Sequence, residues 1–156
     1  MPLQIGDPAP PFSGLDHRGQ PLSWQDFAGS GLILYFYPKD NTPGCTTEAV
    51  TFSKLAPDFA ALGVKILGVS PDSPQSHDKF ITKYQLTIPL LSDPDHTIAE
   101  AYGAWGLKKF MGKEYWGILR STFLIDAQGK IIYCWPKVKV KGHGEDVWTQ
   151  VHRLMG

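Results

Sequence analysis

The sequence predicts an α/β chain whose central mixed sheet is flanked by helices, and three observations predict it. Leu32–Tyr37 is apolar throughout, as a strand covered on both faces must be. A long amphipathic stretch, 43–62, and a second apolar run, 64–70, follow it, which makes a right-handed βαβ unit and a parallel strand pair. Further on, Ser121–Ile125 alternates, meets the turn Asp126-Ala127-Gln128-Gly129 and continues into Ile131–Trp135, an antiparallel hairpin.

The elements follow in order. Pro8, Pro10, Pro11, Gly14 and Gly19 punctuate short extended pieces at the start. There, Asp16-His17-Arg18-Gly19 turns Phe12–Leu15 back on Leu22–Trp24, an N-terminal β-hairpin. The helix from Pro43 to Leu62 carries Cys45, Ala49, Phe52, Ala56, Phe59 and Leu62 at three- and four-residue steps, so Cys45 opens its buried stripe. Pro57 interrupts that helix and is expected to kink it. A helix from Ser73/Pro74 to Tyr84, a strand at Ile88–Leu91 and a helix from Thr97 to Tyr102 come next. A Gly- and aromatic-rich loop is expected over 103–117, and a last helix from Gly144 or Glu145.

At 156 residues the chain has the length of one ordinary domain, 1–156. Formal net charge is zero and no long run of one sign occurs, which gives no footprint for nucleic acid or for an acidic membrane surface. The longest apolar run is far too short to span a bilayer. Met1–Pro10 lacks a basic segment followed by an apolar core, so a reducing cytoplasm is the default expectation. Two cysteines do not make a disulfide scaffold, and His17, His77, His96, His143 and His152 show no metal-ligand spacing. Surface or helix-capping positions are expected for these histidines, and no cofactor is implied.

Cys45 concentrates the chemistry. Thr42 is a good N-cap and Pro43 suits the first helical position, which sets Cys45 in the first turn. Unpaired backbone N–H groups and the positive end of the helix dipole favour a negative sulfur there. The alternative is a small buried hydrophobe, the usual fate of a free cysteine. Arg120 begins a strand expected beside the one leading into Cys45, and would supply a permanent cation; otherwise it is a surface residue in an ion pair. The Thr42 hydroxyl would accept from a backbone N–H and donate toward the sulfur or a bound oxygen.

These residues resemble a family. Pro38, Thr42 and Cys45 fit the Pro-x-x-x-Thr-x-x-Cys signature of peroxiredoxins, and Arg120 with Ser-Thr-Phe-Leu-Ile-Asp after it is similar to their active-site arginine strand. More closely, the chain resembles the bacterioferritin comigratory protein, or peroxiredoxin Q, subfamily. The resemblance runs through Gly6–Pro10, Tyr35–Asp40, Thr42–Thr46, Gly68–Ser73, Ser76-His77, Leu90–Asp93 and Tyr102-Gly103. It implies a thioredoxin-like fold, a monomer, and thiol-dependent reduction of hydrogen peroxide and organic hydroperoxides. By the same resemblance Cys45 is the attacking thiol, Thr42, Arg120 and the Gly44–Cys45 amides polarise the peroxide, and Pro38 shields the product. Glu48 matches a position where the subfamily often has an acidic or amide residue; otherwise it is a solvated helical carboxylate.

One departure stands out. The subfamily's second, resolving thiol often sits five residues after the first, where this chain has Val50, or on the following helix, where it has Ile81. Cys134 is the remaining sulfur. With Ile125 opposite Lys130, Cys134 falls opposite Ser121, on the sheet face away from Arg120, with Trp135 on the Arg120 side. Cys134 is therefore read as structural, and a one-cysteine cycle is expected with thioredoxin, glutaredoxin or glutathione as reductant. Trp105, Phe110, Tyr115 and Trp116 would line the peroxide entrance, pack the loop or form a self-association patch. A thioredoxin-type reductase lacks support because Thr46-Thr47-Glu48 follow Cys45, and a cysteine phosphatase would need arginine where Thr51 stands. The remaining alternative is a redox-inert binding or chaperone module on the same scaffold.

Overall fold

The computed structural model describes residues 3–156. Its main sheet has seven strands, in the order β2 (Pro21–Ser23), β1 (Ser13–Asp16), β5 (Leu90–Ser92), β4 (Val64–Ser70), β3 (Gly31–Phe36), β8 (Ser121–Ile125) and β9 (Ile131–Trp135). β1 and β2 form the predicted N-terminal hairpin. β3, β4 and β5 are parallel neighbours, while β8 and β9 add the antiparallel side. Among the described residues four α-helices accompany the sheet, α1 (Pro43–Ala61), α2 (Pro74–Tyr84), α3 (Thr97–Ala101) and α4 (His143–Met155), with a short 3₁₀ helix at Trp24–Phe27.

β3 shows why its sequence is apolar at every position. Leu32, Leu34 and Phe36 enter one core with Leu67, Val69, Leu91, Tyr102 and Phe123. Ile33, Tyr35 and Tyr37 enter the other, with Cys45, Ala49, Phe52 and Phe59 of α1 and Val147 and Val151 of α4. Strand side chains alternate between faces, so a strand buried on both faces has no position to spare for water. Pro57 lies inside α1 and cannot donate to the carbonyl of Ser53; the Thr87 hydroxyl donates to that oxygen instead, at 3.1 Å.

Three expectations change. First, 103–117 is not a loop: β6 (Trp105–Phe110) and β7 (Lys113–Ile118) pair as a separate hairpin. Its two-residue turn, Met111-Gly112, has positive φ at both positions (51° and 80°), the geometry that matches strand twist. Second, the β8–β9 register differs. Oδ1 of Asp126 accepts from the amides of Gln128 and Lys130, both at 2.9 Å, which draws Lys130 into the turn. Ile125 therefore faces Ile131, and after a bulge Phe123 faces Cys134 and Thr122 faces Trp135. The net displacement of two residues preserves the face, so Cys134 packs on the Phe123 core and Trp135 on the Cys45 core. Third, His77 and His143 are buried rather than exposed.

Among the described residues no helix is long and apolar enough to cross a membrane, and no cluster of metal-ligating side chains occurs.

Candidate active site

Helix α1 begins where the sequence places it, with Thr42 in extended backbone at the N-cap and Pro43 first in the helix. Gly44 and Cys45 follow within the first turn, where amide N–H groups have no helical carbonyl to donate to. The Thr42 hydroxyl departs from expectation: it makes no cap and does not reach the sulfur, but donates to the carbonyl of Lys39 at 2.8 Å. That bond closes the loop between β3 and α1, the loop that carries Pro38.

Arg120 stands immediately before β8, which pairs with β3, and so reaches the start of α1 from the neighbouring strand. Its Nη2 donates to Cys45 Sγ at 3.2 Å and its Nη1 to Glu48 Oε1 at 2.8 Å. One guanidinium thus ties together two side chains three residues apart on the same helix face. Val140 Cγ2 lies 3.5 Å from where a Cβ on Gly44 would stand, and Arg120 Nη2 at the same 3.5 Å, so the 136–141 segment borders the site beside Gly44. The backbone of Val138 donates to the Arg120 carbonyl at 3.0 Å and fixes that border.

The electrostatics follow from burial. Cys45 is 1% exposed and Glu48 3%. Burial pushes the Glu48 carboxyl up to about 7, against the pull of Arg120. Burial works against the Arg120 charge too, but Glu48 and Cys45 outweigh it and hold the guanidinium above its ordinary value. Glu48 Oε2 has no hydrogen-bond partner, so half the carboxylate is held by position alone. His143, whose Nε2 lies 2.9 Å from the Thr122 hydroxyl, is pushed down to about 4 by burial, with Arg120 repelling its proton and Asp146 attracting it. It is a neutral neighbour at physiological pH. Burial pushes the Lys108 ammonium of β6 down, with Arg120 repelling its proton and Cys45 attracting it.

A buried thiol held by an arginine at a helix start is chemistry for a nucleophilic sulfur. Residues 5–134 match the model of the AhpC/TSA family. Peroxiredoxin Bcp of Bacillus subtilis is 50% identical over 143 residues, which cover 92% of this chain and 91% of that one. The chain belongs to the peroxiredoxin family. As a peroxiredoxin it is a thiol-dependent peroxidase. Peroxiredoxin Bcp of Escherichia coli is 43% identical over 153 residues, 97% of this chain and 98% of that one. Among solved structures, Xanthomonas campestris peroxiredoxin Q superposes with a TM-score of 0.88 at 41% identity, covering 93% of this chain and 92% of that one. A variant of Xylella fastidiosa PrxQ reaches 0.93 at 37% identity over 99% and 98%. These neighbours show the thioredoxin-like fold.

The structure brings Cys45, Arg120, Glu48 and Gly44 together, with Thr42 and Pro38 on the adjoining loop. Cys134 is not among them; it is a free thiol on the far face of the sheet, its pKa raised by burial. The buried state of Glu48, and the His143 neighbour, escaped the sequence. The i, i+3 step from Cys45 to Glu48 was the available signal, since it sets the carboxylate beside the sulfur on the inner face.

Proposed function

We propose that this peroxiredoxin reduces hydrogen peroxide and organic hydroperoxides by a one-cysteine cycle at Cys45. The thiolate sulfur attacks the terminal oxygen; a new S–O bond forms as the O–O bond breaks. The released alkoxide or hydroxide takes a proton and leaves as alcohol or water, and Cys45 is left as sulfenic acid. Arg120 and the amides of Gly44 and Cys45 stabilise charge on the departing oxygen. Thr42 already spends its proton on Lys39, which leaves its lone pairs to accept from the hydroperoxide O–H. Glu48 holds the guanidinium in place, and Pro38 screens the sulfenic acid from water.

An external thiol, from thioredoxin, glutaredoxin or glutathione, then displaces water to form a mixed disulfide, and a second thiol releases Cys45. The observation that carries the attack is the contact from Arg120 Nη2 to Cys45 Sγ at 3.2 Å. The one-cysteine reading rests on the placement of Cys134 against the opposite core. Two relatives lend support: the Xanthomonas protein is described with alkyl peroxide reduction activity, and a yeast mitochondrial 1-Cys peroxiredoxin, 26% identical with a TM-score of 0.76, is resolved through glutathione and thioredoxin systems. A cytoplasmic monomer completes the reading. Peroxide consumption by the wild type and by Cys45→Ser, each with several thiol donors, tests it: the wild type turns over and the variant does not. Equal rates would overturn it.

A further inference from the structure

The loop between β3 and α1 is anchored on one side by a buried polar cluster that the peroxide chemistry above does not use. Asp40 sits in that loop, and His77, fully buried at 0% exposure, sits on α2. His77 Nδ1 lies 2.7 Å from Asp40 Oδ2, and its Nε2 lies 3.1 Å from the Leu91 carbonyl. A carbonyl only accepts, so Nε2 donates to it, and Nδ1 meets the Asp40 carboxyl at hydrogen-bond distance on the other side. Asp40 also accepts from the Tyr37 hydroxyl at 2.6 Å and from the Ser76 hydroxyl at 2.8 Å. Its backbone amide donates to Asp72 Oδ2 at 2.7 Å. In the next residue, Asn41, Oδ1 accepts from the Tyr84 hydroxyl at 2.7 Å.

Ser76, His77 and Tyr84 lie on one helix, and Asp72 lies just before it. The loop is thus bolted to α2 through Asp40 and Asn41. Buried polar groups satisfied in this way specify one arrangement, because any displacement leaves a donor or a carboxylate unpaired. The loop's own task is positional: it carries Pro38 and the Lys39 carbonyl that fixes Thr42, one helical turn from the sulfur. Helix α2 holds no thiol, so nothing in a one-cysteine cycle requires it to leave.

We propose that the Asp40–His77 pair is a positioning device for peroxide attack, with α2 as the fixed abutment of the catalytic loop. His77 never touches the peroxide; it acts through Asp40 on Thr42 and Pro38. The inference rests on the peroxidase reading, since peroxide attack is the step it serves.

The test compares wild type, His77→Gln and the milder Ser76→Ala in three measurements on the reduced protein. These are amide hydrogen exchange over 37–45 and α2, the second-order rate of Cys45 oxidation by hydrogen peroxide, and the rate of Cys45 alkylation by iodoacetamide. In His77→Gln, exchange rises in the loop and α2, and oxidation slows by about ten-fold or more, because sub-ångström misplacement of reacting groups is costly. Alkylation, which needs no aligned O–O bond, stays within about two-fold, a split that general destabilisation would not produce. Ser76→Ala shows the same pattern with a smaller slowing, which keeps the comparison decisive if the buried histidine cannot be replaced. Unchanged loop exchange, or oxidation and alkylation falling together, overturns the proposal. A wild type inert toward peroxide would instead refute the peroxidase reading and the positioning role with it; loop exchange, which needs no peroxide, tells the two failures apart.

Discussion

Glu48→Gln isolates the cost of placing a carboxylate beside Cys45. The carboxyl's pKa is about 7 in the folded protein against an ordinary 4.5. An acid whose folded pKa is raised binds its proton more tightly when folded, so stability is present below 4.5 and is lost as pH rises toward 7. At about 1.36 kcal/mol per pH unit, that interval corresponds to about 3 kcal/mol at pH 8. Glutamine mimics the protonated carboxyl: it keeps an acceptor for Arg120 Nη1 and adds no charge. The two proteins should therefore match in stability near pH 4.5, while Glu48→Gln should be more stable by about 3 kcal/mol at pH 8. For a chain of this size, that is a rise in melting temperature of roughly 6–12 °C. Urea denaturation at both pH values, in a Cys45→Ser background that removes the sulfur's own titration, measures the difference directly. A gap that does not change with pH, or that favours the wild type as pH rises, would mean that burial does not raise the Glu48 carboxyl.

Arg120→Lys keeps the charge but loses the fork that holds Sγ and Oε1 together, and stopped-flow oxidation of Cys45 should slow by about a hundred-fold. Gly68→Ala should destabilise by about 2 kcal/mol or more in denaturant titration. Its new Cβ would stand 2.8 Å from the Tyr35 ring and hydroxyl and from Leu90, all fully buried and without room to yield.

The parallel strands and α1 were legible because each is written locally: an apolar run for burial on both faces, then an N-cap, a proline and a three-to-four periodicity. Cys45 and Thr42 stood out for the same reason, whereas Arg120 was singled out by the family resemblance and not by its local sequence. What the sequence hid depends on distant partners. Glu48 reads as a solvated helical residue until Arg120, 72 positions away, makes its burial tenable. His77 reads as a surface histidine until Asp40 and the Leu91 carbonyl satisfy both ring nitrogens. The β6–β7 hairpin was obscured because Lys108-Lys109 breaks its alternation and Met111 is an unusual residue for a left-handed turn. The β8–β9 offset came from a side chain, Asp126, capturing the amide of Lys130. Its even size is why the face of Cys134 could still be read.

In the proposed cycle Cys45 reacts with peroxide alone and is restored from outside. Intact-mass measurement of the reduced protein after one equivalent of hydrogen peroxide, quenched in acid, tests it most directly. The expected product gains one oxygen on Cys45 and is converted to a mixed disulfide when glutathione is added. A monomeric product that has lost two hydrogens, with Cys45 joined to Cys134, would contradict it.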